Sequence, residues 1–412
     1  MKFNKDFLAQ IREATQILRT SGPSAATAAI QRALRRAAND GEQPERGTAL
    51  PPSTEELIDI NPAPGEASGT SPVRSADVLA RFRHAAWPRR EGAATDQPVE
   101  DAEIIDIDEA RGGKFLSASC RNQAGARDYK IYVPRAYRGQ ALPLVVMLHG
   151  CKQSPDDFAA GTDMNALAEE HGWFVAYPAQ IYVANGSNCW NWFKTGDQQR
   201  DGGEPSIIAD ITREITRAYR IDPQRVYVAG LSAGGAMAAI MGAVYPELYA
   251  AVGVHSGLPH GAAHDLPSAL AAMKSGIRTS GPRHAQASAS ASQRQSTPII
   301  VFHGDRDSTV HPRNGDQVLT QYMADDADNA ASGANELRVT VEKGAVPQGH
   351  AYTRTIRCDQ SGKAIAEHWV VHGAGHAWSG GTRYGSYTDP KGPDASREML
   401  RFFQTHRRAA HL

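Results

Sequence analysis

The stretch Arg225-Val-Tyr-Val-Ala-Gly-Leu-Ser-Ala-Gly-Gly-Ala-Met237 decides the fold of this chain. Val226, Tyr227, Val228 and Ala229 form a short apolar run suited to a buried strand, and small helix-forming residues follow Ser232. Gly230-Leu-Ser-Ala-Gly234 joins the two, so the backbone must pass from strand to helix within a few residues. Side chains flanking so sharp a turn would clash, which accounts for the two glycines. The turn lifts the Ser232 hydroxyl above a sheet edge, in strained backbone, at a helix N-terminus whose dipole favours developing negative charge. A serine acting only as a helix N-cap would not need glycine on both sides.

Outward from this turn, strands and helices alternate from about residue 104. Strands are expected at Lys114–Arg121, Tyr129–Val133, Leu144–Leu148, Trp173–Tyr177, Val226–Ala229, Ala250–His255, Ile299–His303 and Ala366–His372. Helices are expected at Met164–His171, Ile207–Tyr219, Gly235–Val244, Asn314–Met323 and Ser396–Thr405. The first two strands are amphipathic, and the later ones are continuous apolar runs typical of a parallel sheet covered on both faces. The fold class is therefore α/β, an α/β-hydrolase fold over residues 104–408 with a mostly parallel central sheet and helices on both faces.

In such a fold an acid and then a histidine follow the nucleophile in chain order. Pro298-Ile-Ile-Val-Phe-His-Gly304 reads as a strand followed by Asp305, Arg306 and Asp307. Asp307 is the better acid, because turn residues separate it from Gly304, whereas Asp305 suits a turn-fixing role. Glu367-His-Trp-Val-Val-His-Gly373 runs into a glycine-rich loop carrying His376, free to bring its ring to the serine as general base. His372 falls at the strand end, His368 on a strand face and His303 before the acid, so they are weaker candidates. Leu142–Leu148 leads into His149-Gly150-Cys151, which nominates the N–H groups of Cys151 and Ala233 as oxyanion donors, with His149 orienting the loop.

The totals exclude several functions. A net charge of −1 gives neither a nucleic-acid footprint nor attraction to anionic membranes. No apolar run of about 20 residues exists to span a bilayer. The N-terminus lacks the apolar core of a signal peptide, so a cytoplasmic location is expected. Cys120, Cys151, Cys189 and Cys358 form no Cys-x-x-Cys pair, and no metal or other cofactor is expected. Whether Cys151 and Cys189 pair stays open: both flank the site, but a reducing cytoplasm disfavours the bond. Residues 1–38 read as two short helices with a basic face, for docking on the main domain, self-association or surface adsorption. Residues 39–103 are a Pro/Gly-rich linker expected to be largely disordered, and Ser280–Thr297 reads as a low-complexity surface insertion.

Five segments together resemble the poly(3-hydroxybutyrate) depolymerase family of esterases: Leu148-His-Gly-Cys-Lys-Gln153, Asn188-Cys-Trp-Asn-Trp-Phe193, Gly230-Leu-Ser-Ala-Gly-Gly-Ala-Met237, His303-Gly-Asp-Arg-Asp307 and Gly375-His-Ala-Trp-Ser-Gly-Gly381. The resemblance implies an oxyanion histidine at His149, a Ser232–Asp307–His376 triad and hydrolysis of a 3-hydroxy acid polyester. The signal peptide, linker domain and polymer-binding domain of secreted members are not recognised, which fits action on amorphous storage granules or soluble oligomers. Trp190, Trp192, Phe193 and Trp378 are candidates for an apolar cleft wall, and Asn188 and Asn191 for contacts to ester oxygens. The alternatives are a feruloyl, acetyl or general short-chain carboxylesterase, and a granule-associated binding protein without activity.

Overall fold

A computed structural model describes residues 112–276, 297–323 and 337–408. The expected N-terminal helices, the linker and nearly all of the low-complexity stretch lie outside these residues. Among the described residues the central sheet has ten strands. These are β1 (Lys114–Asn122), β2 (Gly125–Val133), β3 (Leu142–Leu148), β4 (Phe174–Pro178), β5 (Ile221–Leu231), β6 (Ala251–His255), β7 (Ile299–Gly304), β8 (Arg338–Ala345), β9 (Ala351–Cys358) and β10 (Ala364–Val371). Their spatial order is β1-β2-β4-β3-β5-β6-β7-β10-β9-β8. The stretch from β4 to β10 is parallel throughout, and an antiparallel pair extends the sheet at each end.

The helices are α1 (Pro155–Thr162), α2 (Met164–His171), α3 (Gly203–Ala218), α4 (Ala233–Val244), α5 (Leu266–Ser275), α6 (Arg313–Tyr322) and α7 (Ala395–Gln404). Side chains of each central strand alternate between two cores. Leu144, Val146, Val226 and Val228 pack with α3, α4, α5 and α6, whereas Val145, Met147, Tyr227 and Ala229 pack with α1, α2 and α7. That two-sided burial is why these strands are continuous apolar runs rather than alternating ones.

Four elements were not expected from the sequence: α1, α5, β8 and β9. Strand β8 is exposed along nearly its whole length, so it lacks the burial pattern that reveals a strand. Helix α7 fastens several parts of the molecule. Phe403 stacks on Tyr227 of β5 at 4.8 Å, and the Tyr227 hydroxyl donates to the His406 carbonyl just beyond the helix. Ser396 Oγ accepts from the Trp378 indole at 3.0 Å and donates to the Thr162 carbonyl at 2.7 Å.

Candidate active site

Ser232 sits between β5 and α4 with φ 56° and ψ −117°, and its side chain caps no backbone N–H. A non-glycine residue held there costs on the order of 1–3 kcal/mol, and its N–H bond to the His255 carbonyl at 2.9 Å helps to hold it. The flanking glycines have a measurable reason. A Cβ on Gly234 would lie 1.9 Å from the Leu148 carbonyl oxygen, and one on Gly230 would lie 2.4 Å from the Gly234 carbonyl carbon. The N-terminus of α4 therefore approaches β3 as closely as backbone allows.

Asp307 follows β7 and is buried. One carboxylate oxygen accepts the N–H groups of Thr309 and Val310 at 2.9 and 2.8 Å. The other accepts from His376 Nδ1 at 2.7 Å and lies 3.4 Å from His303 Nε2, which donates to the Val310 carbonyl. Burial alone would raise the Asp307 pKa, but the hydrogen bonds from His303, His376 and the Val310 N–H outweigh it and hold the carboxyl far below its usual range. The bond to Asp307 fixes the His376 ring through Nδ1, and Nε2 has no protein partner among the described residues. Of the competing groups, Asp305 pairs with His372 at the surface, and His368 is buried near Asp316.

The loop after β3 lies against the serine, since a Cβ on Gly150 would be 3.6 Å from Ser232 Cβ. Among the described residues neither the Cys151 N–H nor the Ala233 N–H has a protein acceptor, whereas the Gly150 N–H donates to Gln153 Oε1. The placing of His149 within the oxyanion group needs correction. Its Nδ1 bonds the Gly150 carbonyl at 2.8 Å, and its Nε2 accepts the Gln180 N–H at 3.0 Å. Burial pushes its pKa down to about 4, so the ring is a neutral brace for the loop with no nitrogen left for a ligand. Cys151 and Cys189 are joined by a disulfide across 38 residues, and Cys120 and Cys358 are buried free thiols.

A cavity of about 360 Å³ opens over Ser232 and Ala233. Asn185, Ser187, the disulfide, Trp192 and Phe193 contribute to its lining, as do Leu258, Val310 and Leu266, Ala269, Leu270 and Met273 of α5. Trp192 is thus where a cleft residue should be. Trp190 and Trp378 are not among the lining residues: both are fully buried. Trp378 stacks on His255 and meets Phe158 edge-on, while Trp190 packs 5.7 Å from the His149 ring. These loops are packed down on the helices, so their indoles serve as core. Asn191 is engaged by Glu204 and Asn185. A smaller hollow of about 180 Å³ beside Arg213, Arg217 and Arg408 contains none of these groups.

Sequence reasoning missed the α5 wall and the Glu204–Gln180 cluster. Asp265 as N-cap followed by Pro267 in the first turn is a helix-start signal that could have found α5. Gln180 and Glu204 carry no local signal, being polar residues brought together by the fold.

A family model described as "Esterase PHB depolymerase" matches residues 127–344, more than half of the chain. The chain is 34% identical over 194 residues to poly(3-hydroxyalkanoate) depolymerase C of Paucimonas lemoignei, covering 46% of each. It is 28% identical over 251 residues to the poly(3-hydroxybutyrate) depolymerase of Ralstonia pickettii, covering 58% of this chain and 48% of that one. It is 30% identical over 201 residues to a probable acetylxylan esterase A of Aspergillus flavus, covering 47% and 64%. The chain thus matches about half the length of these two depolymerases. Among solved structures, an acetyl xylan esterase from Aspergillus awamori shares the fold with a TM-score of 0.51 and 22% identity, over 68% of this chain and 94% of that one. With the model covering most of the region that builds the site, the chain belongs to the esterase PHB depolymerase family.

Proposed function

We propose that this chain is a serine carboxylic-ester hydrolase that cleaves poly(3-hydroxybutyrate) or its oligomers through Ser232, His376 and Asp307. The observation that carries the reading is the Asp307–His376 bond, which leaves Nε2 as the free ring nitrogen, together with Ser232 in the cavity lining. His376 takes the Ser232 proton as Oγ attacks the ester carbonyl, and Asp307 holds the tautomer and stabilises the imidazolium. The Cys151 and Ala233 N–H groups receive the oxyanion, each donor contributing on the order of 3 kcal/mol in the transition state. His376 then protonates the leaving alkoxide, and water repeats the sequence on the acyl-enzyme. The apolar α5 residues suit an aliphatic acyl group, and the polar lining residues suit the ester oxygens of a neighbouring unit.

A second reading, an esterase releasing acetyl groups from xylan, is supported by the acetylxylan esterase relatives at similar identity. The deciding assay offers amorphous poly(3-hydroxybutyrate) granules, acetylated xylan and p-nitrophenyl butyrate in parallel. Release of 3-hydroxybutyrate without acetate favours the first reading, and the reverse favours the second. Ser232→Ala is expected to abolish turnover on all three while the melting transition persists; substantial residual turnover would remove Ser232 as nucleophile.

A further inference from the structure

We propose that Glu204 and the Cys151–Cys189 disulfide are positioning groups that together aim the Cys151 N–H into the oxyanion hole. The inference rests on the serine-esterase reading above. A backbone donor stabilises a transition state only when it is oriented beforehand, because reorganising it during the reaction returns the gain. Cys151 lies in a turn outside the sheet and helices, so its orientation must come from its attachments. Two of these lead to one neighbouring segment: the Lys152 N–H donates to the Ser187 carbonyl at 2.8 Å, and the disulfide joins Cys189.

That segment is itself a loop, so the tether is only as fixed as its far end. Glu204, buried at the start of α3, fixes it. Its carboxylate accepts the Asn191 backbone N–H at 2.7 Å, the Asn191 side-chain amide at 2.6 Å and the Gln180 amide at 2.5 Å, with Arg127 at 3.3 Å. Gln180 closes the circuit. Its amide also donates to the Cys189 carbonyl at 2.9 Å, and its backbone N–H donates to His149 Nε2 at 3.0 Å. One buried carboxylate thereby holds both the strand end before Cys151 and the far side of the disulfide. Desolvating such a charge is costly, and every contact that offsets the cost here runs to Arg127 or to the loop residues Asn191 and Gln180.

Both cysteines line the cavity and are half-buried rather than enclosed, so the bond faces a solvent-connected space. A dithiol reductant attacks one sulfur as thiolate to form a mixed disulfide, and its second thiolate then displaces the protein sulfur. Two electrons and two protons pass to Cys151 and Cys189, and the reductant leaves as a cyclic disulfide. The loop then loses its covalent tie, so turnover depends on redox state.

The test measures kcat and KM of the full chain on p-nitrophenyl butyrate, before and after dithiothreitol, after reoxidation, and in Cys189→Ser and Glu204→Gln. An oxyanion donor acts in the transition state, so kcat should fall about tenfold or more with KM held within about threefold. Reoxidation should restore the wild-type value. Glu204→Gln should lower kcat with the disulfide still formed by thiol titration. Unchanged kcat after verified reduction overturns the proposal, as does a change confined to KM. Loss of activity only together with the melting transition, without recovery on reoxidation, assigns the bond to stability and also overturns it. If a substitution prevents folding, the reduction arm decides. Turnover retained in Ser232→Ala would instead defeat the serine-esterase reading, whatever the disulfide does.

Discussion

Two histidine–aspartate pairs stand side by side where β7 and β10 end, and they differ in almost everything except composition. Asp305 and His372 meet at 2.9 Å with side chains 37% and 42% exposed. Asp307 and His376 meet at 2.7 Å with side chains 0% and 11% exposed. In the outer pair His372 Nε2 bonds the Thr353 hydroxyl at 2.8 Å, so both ring nitrogens are engaged within the exposed surface. In the inner pair Nε2 is free, and the carboxylate is anchored by two backbone N–H groups as well as by the ring. A histidine beside an aspartate is thus not a catalytic unit by contact alone. Burial, a carboxylate held by two backbone N–H groups where Asp305 has only that of Gly373, and one uncommitted nitrogen separate the two.

The comparison breaks most visibly through the acid. Asp307→Asn should lower kcat on p-nitrophenyl butyrate by roughly a thousandfold or more, since the amide favours the wrong tautomer of His376. An effect below about tenfold would mean that the inner pair is not the working one.

An intermediate effect is expected from acid. His149 and His255 are buried neutral, with pKa values pushed down to about 4 and about 3 from an ordinary 6.5; for His255 burial acts first, followed by repulsion from His303 and His376. The unfolded chain therefore takes up protons that the folded one refuses. Stability present above pH 6.5 is lost as pH falls toward those values, by up to about 1.4 kcal/mol per pH unit for each ring. Urea unfolding at pH 7 and pH 5 should show the midpoint falling. Asp307 adds to the same trend only at lower pH, because its depressed pKa contributes stability that disappears once a carboxyl can be protonated. A midpoint that is flat between pH 7 and pH 5 would contradict the neutral burial of these imidazoles.

The smallest effect belongs to the outer pair. Asp305→Asn should change kcat by less than about twofold and stability by no more than about 0.5 kcal/mol, as an exposed ion pair does. An effect on kcat comparable with that of Asp307→Asn would erase the distinction between the pairs.

Much of this contrast is legible in the residues alone, because strand ends and glycine-rich loops announce themselves. Gly230 and Gly234 mark a backbone contact that no larger residue could make, and the apolar runs of β3, β5 and β7 mark a sheet covered twice. The environment of a loop side chain is not legible in the same way. Trp190 and Trp378 sit in polar, glycine-rich stretches and are nevertheless fully buried, because the loops fold back onto α1 and onto the His149 ring. Strand β8 shows the converse, with Val339 and Val341 more than half exposed where a strand signal needs a buried face. Glu204 and Gln180 lie 24 residues apart and acquire meaning only by meeting.

Helix α7 adds a temporal consequence. It stacks on the strand that leads into Ser232 and, through Ser396 and Trp378, pins the loop that carries His376. On the ribosome, Ser232 and its elbow emerge long before either part of that clasp exists. A growing chain therefore displays Ser232 before α7 can dock, and the proposed activity is expected to begin only once that helix has packed on β5.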